Sequence, residues 1–283
     1  MVKAQEWLEE NYPNKEQKIT KLDVKDKSLE GSLKLEEFTN LKKLDCEGSQ
    51  LTSLEIVSCP SLEKIYCKNN RLVRLDLNGC PNLKVLYCRN NLLTHLDLSQ
   101  NRELEDLNII NNNFAEQDLS FVRHLVSLRS LGLGSNKVSG KNIKHGIYNR
   151  FIGSLEPLKN LTKLRDLNIN NTDLRSGLEY LPDSITYFHF SSNQKGWRHQ
   201  AKVREIEKEL KKISDSGSLS SWKGANPNRV RIACQERKIE QLERQSPKKS
   251  SQIAQLEQLK TECAHLKQLV NQQSQILHNP LTN

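Results

Sequence analysis

The sequence contains seven cysteines, whose thiolates could bind a metal ion if their spacing brings them together. Cys46, Cys67 and Cys88 follow one another at intervals of 21 residues, and Cys59 and Cys80 share that interval. Thiolates bind zinc when four ligands converge, which sequences usually prepare with close Cys-x-x-Cys pairs. This sequence has no such pair, and no histidine stands at ligand spacing beside the cysteines. The interval therefore favours a buried structural ladder over a metal site, because cysteine packs like a small hydrophobe.

Signatures of catalysis and of cofactor binding are missing from the sequence. The histidines form neither a His-Glu-x-x-His pair nor a recognisable triad with serine and aspartate. The repeat also accounts for three aspartates at equivalent positions, Asp45, Asp106 and Asp166. Because they recur with the repeat, they do not indicate a general acid and base pair. Neither a Gly-x-x-x-x-Gly-Lys-Ser/Thr loop nor a His-Arg-Asp plus Asp-Phe-Gly set is found. We therefore predict that the protein is not an enzyme and has no catalytic residue, metal ligand or cofactor.

Charge and hydropathy narrow the remaining classes of function. The chain has 43 basic and 34 acidic residues, and its net charge of +9 permits contact with nucleic acid but is spread over 283 residues. The sequence lacks any apolar run of about 18 residues, the length that a membrane span needs. Its first residues continue into polar ones without the apolar core of a secretory signal. We expect a location in the cytoplasm or the nucleus, where cysteines stay reduced.

An internal repeat supplies the elements that position these residues. Its template is Leu-x-x-Leu-x-Leu/Cys-x-x-Asn-x-Leu, and the copies begin at residues 19, 41, 62, 83, 104, 128, 164 and 185. One clear copy comprises Leu62, Ile65, Cys67, Asn70 and Leu72. The copy that begins at residue 128 takes Asn136 and Val138 as its asparagine and its last apolar residue. The longer spacing after that copy predicts an insertion near residues 138–160.

Each copy of the repeat predicts one short strand of a parallel sheet. Side chains alternate along a strand, so Leu86 and Cys88 point inward while Tyr87 points outward. One copy cannot bury its own apolar face, whereas stacked copies bury a continuous core. The asparagine satisfies backbone groups where the chain bends. A second apolar triplet in each copy, as in residues 72–77, predicts a return segment made of short strand or 3-10 turn.

This pattern resembles the short type of leucine-rich repeat over residues 19–193, and also internalin-like repeats in which a cysteine replaces one strand leucine. Segments 4–8, 31–33 and 177–184 are similar to an expanded set of fungal repeat proteins. The resemblance implies an α/β fold, in which a curved solenoid with a parallel sheet on its concave face precedes an all-helical tail. It also implies an intracellular interaction protein. Some members of that set carry a kinase-like domain, which this sequence lacks.

The concave face of the solenoid is the predicted binding surface. Tyr66 and Tyr87 should lie side by side on neighbouring strands, and tyrosine and arginine are enriched at binding hot spots. The predicted surface consists of Tyr66, Tyr87, Lys68, Arg89, Lys64, Val85, Ile110 and Asn108. The alternative interpretation is that the tyrosines only cover a sheet, which favours aromatic residues. Acidic residues on both sides favour a protein with an acidic, apolar anchor over a phosphate backbone.

Hydrophobic periodicity predicts helices outside the repeats. The predicted organisation is a capping helix over 1–18, the solenoid over 19–195, a second capping helix over 200–213, a flexible linker over 214–228 and a coiled-coil tail over 229–278. Within the insertion, Ile143, Ile147 and Phe151 stand four residues apart and predict a short amphipathic helix. The seam of the tail, with alternating steps of three and four, consists of Leu256, Leu259, Cys263, Leu266, Val270 and Leu277.

Two functions remain open at this point. The first is a non-catalytic adaptor or scaffold, in which the concave face recognises another protein and the tail self-associates or recruits a partner helix. The alternative is binding of nucleic acid or of an acidic partner through the tail, which has 15 basic and 9 acidic residues from Ala201 onward, a net charge of +6. The tail lacks interleaved aromatic residues, so we expect protein partners, neither nucleic acid nor membrane.

Overall fold

The computed structural model describes residues 2–13, 18–135, 147–192, 201–212, 218–244 and 250–278. The chain forms two compact units, the first from Met1–Ser176 and Pro182–Lys208, and the second from Gly177–Leu181 and Glu209–Asn283. Every strand in the described residues belongs to the first unit.

The regular elements of the described residues follow in chain order. The strands are β1 (Val2–Lys3), β2 (Lys21–Asp23), β3 (Leu29–Glu36), β4 (Lys43–Asp45), β5 (Gln50–Val57), β6 (Lys64–Tyr66), β7 (Arg74–Asp76), β8 (Val85–Tyr87), β9 (Asp106–Asn108), β10 (Ser130–Gly132), β11 (Ile152–Ser154), β12 (Asp166–Asn168), β13 (Asp173–Ser176) and β14 (Tyr187–His189). The α-helices are α1 (Ala4–Asn11), α2 (Val203–Lys211), α3 (Leu219–Ala225), α4 (Pro227–Arg244) and α5 (Ser250–His278). Short 3-10 turns occupy Ser120–Val122, Glu156–Leu158 and Leu178–Tyr180.

Each copy of the repeat places one three-residue strand in a parallel sheet of eight strands, ordered β2-β4-β6-β8-β9-β10-β12-β14. The central residue of the strand is buried, as at Leu44, Ile65 and Leu86, because it faces the stacked core. The two flanking residues point to the other side of the sheet, the side that the sequence predicts as the concave binding face. We call it the outer face. The predicted α/β leucine-rich-repeat solenoid is confirmed in the first unit.

The return side of the solenoid contains a second parallel sheet, ordered β1-β3-β5-β7, and the pair β11-β13. Two alternate residues of β5, Leu54 and Ile56, are buried. The return side therefore also contributes apolar side chains to the core. Later copies use the 3-10 turns 120–122 and 156–158 instead of strands. The predicted mixture of short strands and 3-10 turns on this side is confirmed.

One asparagine in each regular copy holds the turn that follows the strand. Asn70 donates through Nδ2 to Cys46 O (2.8 Å) and Cys67 O (3.1 Å), while its Oδ1 accepts from Leu51 N (3.0 Å). The same bonds recur at Asn91 and again one copy later. These side chains are buried, and they satisfy backbone groups that the strand ladder does not reach. We call this series the asparagine ladder.

The asparagine ladder corrects the register predicted for the copy that begins at residue 128. The position predicted at Asn136 is filled by Asn149, which donates to Leu133 O (2.8 Å) and Ile109 O (2.9 Å) and accepts from Phe114 N (3.4 Å). The ladder residue therefore follows Leu133 by 16 residues, whereas Asn70 follows Cys67 by 3. Regular spacing pointed to the wrong asparagine because the insertion enters before the ladder residue.

The amphipathic helix predicted in the insertion is wrong at its described end. Residues 136–146, including Ile143, lie outside the described residues, but Ile147 and Phe151 are not helical. Phe151 forms an isolated β-bridge with Gln117 and packs against the rings of Phe114 and Phe121 at 5.3 and 5.5 Å. It is fully buried and fills the apolar template position predicted at Val138, so core packing overrides the helical spacing.

Helical segments lie near both ends of the first unit. Helix α1 buries Ala4 and Leu8, and Gln5 Oε1 accepts a hydrogen bond from Lys34 N at 2.9 Å. Near the other end, Val203 N at the start of α2 donates to Thr172 O at 3.2 Å. The terminal copies of a solenoid lack a neighbour on one side, and the capping role predicted for these two helices stays a prediction.

The second unit contains a helix where the sequence predicts a flexible linker. Helix α3 begins after Ser218, whose Oγ accepts a hydrogen bond from Ser221 N at 3.1 Å and so caps the helix. Trp222 in this helix is buried, and the guanidinium of Arg229 lies 5.4 Å from its ring centroid. The serine and glycine content suggested a linker, but the cap and the burial of Trp222 stabilise a helix.

Helices α4 and α5 pack against each other as a hairpin in the second unit. Ion pairs join the two helices along their length: Arg231–Glu262, Lys260–Glu243 at 2.7 Å and Lys267–Glu236 at 2.7 Å. The first of these helices ends at Arg244 and the second begins at Ser250, and the sequence between them contains Pro247, a residue that cannot continue a helix from the preceding turn. Among the described helices, none is both long enough and apolar enough to cross a membrane.

Candidate binding surface

Tyr66 and Tyr87 lie next to each other on the outer face of the eight-stranded sheet. They are in register on β6 and β8, and their rings meet edge to face with centroids 5.4 Å apart. Both side chains are half-buried, and Lys43 Nζ lies 4.7 Å from the ring centroid of Tyr66. Contacts between the rings and with this cation restrict the side chains, while both residues stay partly accessible to a ligand. We call these residues the tyrosine pair.

Three other residues of the predicted surface remain accessible beside the tyrosine pair. Lys64 and Arg89 are exposed, and Val85 is half-buried between them. Within the described part of the chain, neither cation forms an ion pair or a side-chain hydrogen bond. Cations that are not held by carboxylates of the same chain keep their charge available to a ligand.

Lys68 differs from the cations beside it because a carboxylate already holds it. Its Nζ lies 3.0 Å from Glu47 Oε1, and Lys25 approaches the other oxygen of Glu47 at 3.5 Å. Asn69 donates to the same carboxylate at 3.3 Å. The structure therefore places Lys68 in the predicted surface but neutralises its charge there.

Ile110 is a correction to the predicted surface, because its side chain is only 6% exposed. Its side chain lies over Gly132, the register partner of Asn108, and a Cβ on Gly132 would lie 3.0 Å from Ile110 Cδ1. The isoleucine thus covers the space that the glycine leaves open on the sheet. Asn108, which is half-buried, accepts a hydrogen bond from Ile110 N at 3.2 Å through Oδ1 and helps to hold this turn.

Carboxylates occupy the outer face on the strands beyond the tyrosine pair. Asp106 is half-buried on β9, and its pKa is raised by burial and then by the charge of Glu105. Burial also raises the pKa of Tyr87, and the charge of Asp106 adds to the effect. Asp166 on β12 lies 3.8 Å from His189 Nε2. The outer face therefore carries Asp106 and Asp166 on the strands beyond Tyr87, while the exposed cations Lys64 and Arg89 belong to the copies that carry the tyrosine pair itself.

The cysteine ladder, Cys46, Cys67 and Cys88, is completely buried behind the sheet. Burial raises the pKa of Cys46, and a contact with Cys88 together with burial raises the pKa of Cys67. On the return side, burial raises the pKa of Cys80 to about 12, and its thiol donates to Leu77 O at 3.3 Å. Such thiols are neutral at physiological pH, so they fill space as small apolar groups. The described residues contain no group of three side chains arranged to hold a metal ion.

The predicted seam of the tail lies on α5, in a unit separate from this face. Its residues are Leu256, Leu259, Cys263, Leu266, Val270 and Leu277. Its central part, Cys263, Leu266 and Val270, packs against Ile232 and Ile239 of α4. Leu256 and Leu259 are partly exposed, and the side chain of Leu277 lies outside the described residues. The central seam therefore has its partner within the same chain, and self-association through the tail stays a prediction.

A second series of asparagines was missed at the level of sequence. Asn69, Asn90 and Asn111 have φ between 57° and 58°, in the left-handed region that asparagine tolerates better than most residues. Their side-chain amides join in a chain, since Asn90 donates to Asn69 at 2.6 Å and Asn111 donates to Asn90 at 2.7 Å. The signal was present as Asn-Asn pairs in successive copies. This chain borders the outer face just beyond the strand ends.

No family model and no curated protein matches the sequence. Among solved structures, a leucine-rich-repeat protein of Leptospira interrogans is 16% identical with a TM-score of 0.45, and the match covers 66% of this chain and 58% of that one. Internalin C2 of Listeria monocytogenes is 18% identical with a TM-score of 0.38, and the match covers 55% and 73%.

The functional domain of InlJ from Listeria monocytogenes, which includes a cysteine ladder, is 22% identical with a TM-score of 0.40. This match covers 61% of the present chain and 42% of that domain. The present chain thus spans less than two thirds of two of these three structures. The solenoid fold itself is defined by the strand register and the asparagine ladder.

Proposed function

We propose that this protein is a non-catalytic protein-interaction module that binds another protein on the outer face of the eight-stranded sheet. The observation that supports the proposal is the tyrosine pair, Tyr66 and Tyr87, which is held edge to face and half-buried. Rigid, amphipathic aromatic side chains lose little conformational entropy when a ligand covers them. Hot spots in protein interfaces are enriched in such residues and in arginine, which Arg89 supplies.

The arrangement of the remaining polar groups also supports binding over catalysis. On the outer face, Asp106 and Asp166 are separated by the strand β10 and belong to repeated template positions. The ladder thiols are completely buried, so they are out of reach of a substrate and are poor nucleophiles. A catalytic site needs a nucleophile or base in contact with a group that activates it.

The second part of the proposal is an adaptor role, in which the helical tail serves as a separate element. Its hairpin is closed by Ile232, Cys263 and Leu266 within one chain. Recruitment of a partner helix would use the surface of α5 away from this core, where Ile253 and Leu269 are exposed. Self-association through the central seam would require the hairpin to open first.

Binding of nucleic acid through the tail receives no specific support. The cations Arg231, Lys260 and Lys267 each face a carboxylate of the neighbouring helix. Phosphate contacts depend on cations that are free to displace the counterions of the nucleic acid. These ion pairs within the hairpin therefore leave fewer cations of the tail available for phosphate contacts.

The proposal is tested by affinity capture with the full-length chain followed by quantitative mass spectrometry. The test variant is Tyr66→Ala/Tyr87→Ala, and the matched control is Val73→Ala/Val126→Ala, which removes exposed apolar side chains elsewhere on the solenoid. We expect specific proteins to be lost by the tyrosine variant and retained by the control. Capture that survives in the tyrosine variant, when circular dichroism shows it folded, would refute the outer face as the binding site.

A further inference from the structure

The first outward residue of each strand forms a continuous row across the eight-stranded sheet. In register, the row consists of Lys21, Lys43, Lys64, Val85, Asp106, Ser130, Asp166 and Tyr187. The charge along this row changes sign once, from lysine to aspartate, and Val85 stands at the change. A strict repeat would place the same charge in every copy, so the sign change is a departure from the repeat.

The lysines of the row differ in whether a carboxylate of the same strand pairs with them. Lys21 and Lys43 each pair with the aspartate two residues later, at 2.8 and 3.4 Å. Lys64 has Tyr66 at the corresponding position, so its own strand supplies no carboxylate. Lys64 also makes no ion pair elsewhere in the described ranges. The uncompensated positive charge of the row is therefore concentrated at Lys64, beside the tyrosine pair.

The aspartates of the row are also poorly balanced by cations of the chain. Asp106 makes no ion pair within the residues that the structure describes, and the charges of Arg129 and Lys64 act on it only at longer range. Arg129, on the turn before the next strand, is engaged with Glu105 at 3.1 Å. Among the described residues, the charged contact of Asp166 is with His189 Nε2 at 3.8 Å, and it is an ion pair only when the histidine is protonated. For the half-buried Asp106, a ligand that supplies a cation would relieve the cost of keeping a carboxylate charged without an ion pair.

Resting on the proposed function, we propose that this row recognises an extended polypeptide segment that lies across the strands. The segment would place an acidic residue over Lys64, an apolar residue over Val85 and the tyrosine pair, and a basic residue over Asp106 and Asp166. Each charged residue of the segment then meets the opposite charge in the row, and its central apolar residue meets Val85 and the tyrosine pair.

The spacing of the strands sets the length of the segment. Neighbouring strands lie about 4.8 Å apart, so Asp106 is about 10 Å from Lys64 along the row and Asp166 is about 19 Å away. An extended chain advances about 3.3 Å per residue, so its acidic and basic residues should stand about three to six positions apart. A nucleic acid does not fit this row, because its phosphates would meet the two aspartates.

The probe is a phage-displayed library of random 12-residue peptides, selected on the immobilised full-length protein. Enriched peptides are then synthesised, and their Kd values are measured by fluorescence anisotropy against wild type, Lys64→Glu and Asp106→Asn/Asp166→Asn. The aspartate variant is isosteric, so it removes charge with little change in packing. Lys163→Glu and Glu103→Gln, at exposed positions outside the row, are the matched controls.

We expect the enriched peptides to carry an acid and a base on either side of an apolar residue. Lys64→Glu and Asp106→Asn/Asp166→Asn should each weaken binding about tenfold, while the controls leave it unchanged. Replacing the acid of the peptide by lysine should restore its binding to Lys64→Glu. This rescue requires that the two charges meet directly.

Three outcomes would overturn the inference. They are no enrichment on wild type, peptides of a single charge sign, and affinities that do not respond to the row variants. A second copy of the chain could also satisfy the row, and it would appear as a concentration-dependent doubling of mass that Lys64→Glu abolishes, which would replace the peptide assignment. If protein capture still depends on the tyrosine pair in any of these cases, the charge assignment fails and the proposed function stands.

Discussion

Replacing Asn149 by alanine tests the position of the insertion in the asparagine ladder. In the wild type, Asn149 donates to Leu133 O at 2.8 Å and Ile109 O at 2.9 Å, and it accepts from Phe114 N at 3.4 Å. Ile109 O also accepts from Asn112 Nδ2 at 3.0 Å, so this carbonyl keeps one donor in the variant. Within the described residues, Leu133 O and Phe114 N have no second partner of this kind, so the variant leaves them unsatisfied in the core.

The cost follows from the number of backbone groups that lose their partner. A buried polar group left without a hydrogen bond costs about 1–3 kcal/mol, and the long bond to Phe114 N belongs at the lower end. We expect Asn149→Ala to lower the free energy of unfolding by about 3 kcal/mol. Asn91→Ala should cost less. In that variant, Cys67 O still accepts from the amide of Asn70 and Cys88 O still accepts from the amide of Asn112. Leu72 N is the backbone group that loses its hydrogen bond to a ladder side chain.

The assay is urea unfolding followed by far-ultraviolet circular dichroism, with midpoints compared at a common slope. Asn91→Ala serves as the matched ladder variant, and Asn136→Ala serves as the control at the position that regular spacing selects. We expect the midpoints to fall in the order Asn136→Ala, Asn91→Ala, Asn149→Ala, with the first close to wild type.

Two results would refute this reasoning. If Asn136→Ala lowers the midpoint as much as Asn149→Ala does, the insertion enters the solenoid on the other side of the ladder. If Asn149→Ala costs no more than Asn91→Ala, the unshared carbonyl of Leu133 is not the source of the extra energy. In both cases, the correction to the repeat register would have to be withdrawn or explained differently.

Three further predictions concern thiols, pH and the tail. Exposed Cys234 should react with a thiol reagent in the native protein, whereas the buried ladder thiols should react only after unfolding; rapid native labelling of Cys67 by mass spectrometry would contradict this. Because burial raises the pKa of Asp106 above its unfolded value, its charge costs stability above the folded pKa, and this cost disappears as pH falls to the unfolded pKa. Asp106→Asn should therefore exceed wild type in urea midpoint at neutral pH and match it at acidic pH; a constant difference would be evidence against the assignment. Leu266→Asp should reduce helical circular dichroism by burying a charge in the hairpin, and an unchanged spectrum would argue against the packing of α4 on α5.

The main parts of the fold could be predicted from spacing because the repeat is local. Leu44, Ile65 and Leu86 are buried as expected, since a three-residue strand must turn alternate side chains to opposite sides. The adjacency of Tyr66 and Tyr87 follows in the same way, because each copy adds one strand in a fixed register. These conclusions needed only residues within one or two periods of each other.

Other features required contacts that no local pattern contains. Asn149 reaches Ile109 across 40 residues, and the sequence offers a competing asparagine at the regular distance. Ile110 occupies an outward template position, yet it is buried because Gly132 on the next strand leaves room for it. The neutralisation of Lys68 depends on Glu47, which belongs to the preceding copy.

The sequence by itself determined the repeat, the burial of the cysteine ladder and the tyrosine pair on the outer face. All three depend on the period of the sequence and on the alternation of side chains along a strand. The tertiary structure alone decided where the insertion enters, which charges remain uncompensated and which helix covers the seam of α5. These outcomes are decided by hydrogen bonds, ion pairs and packing between distant segments, whose energies exceed local preferences once the copies have stacked.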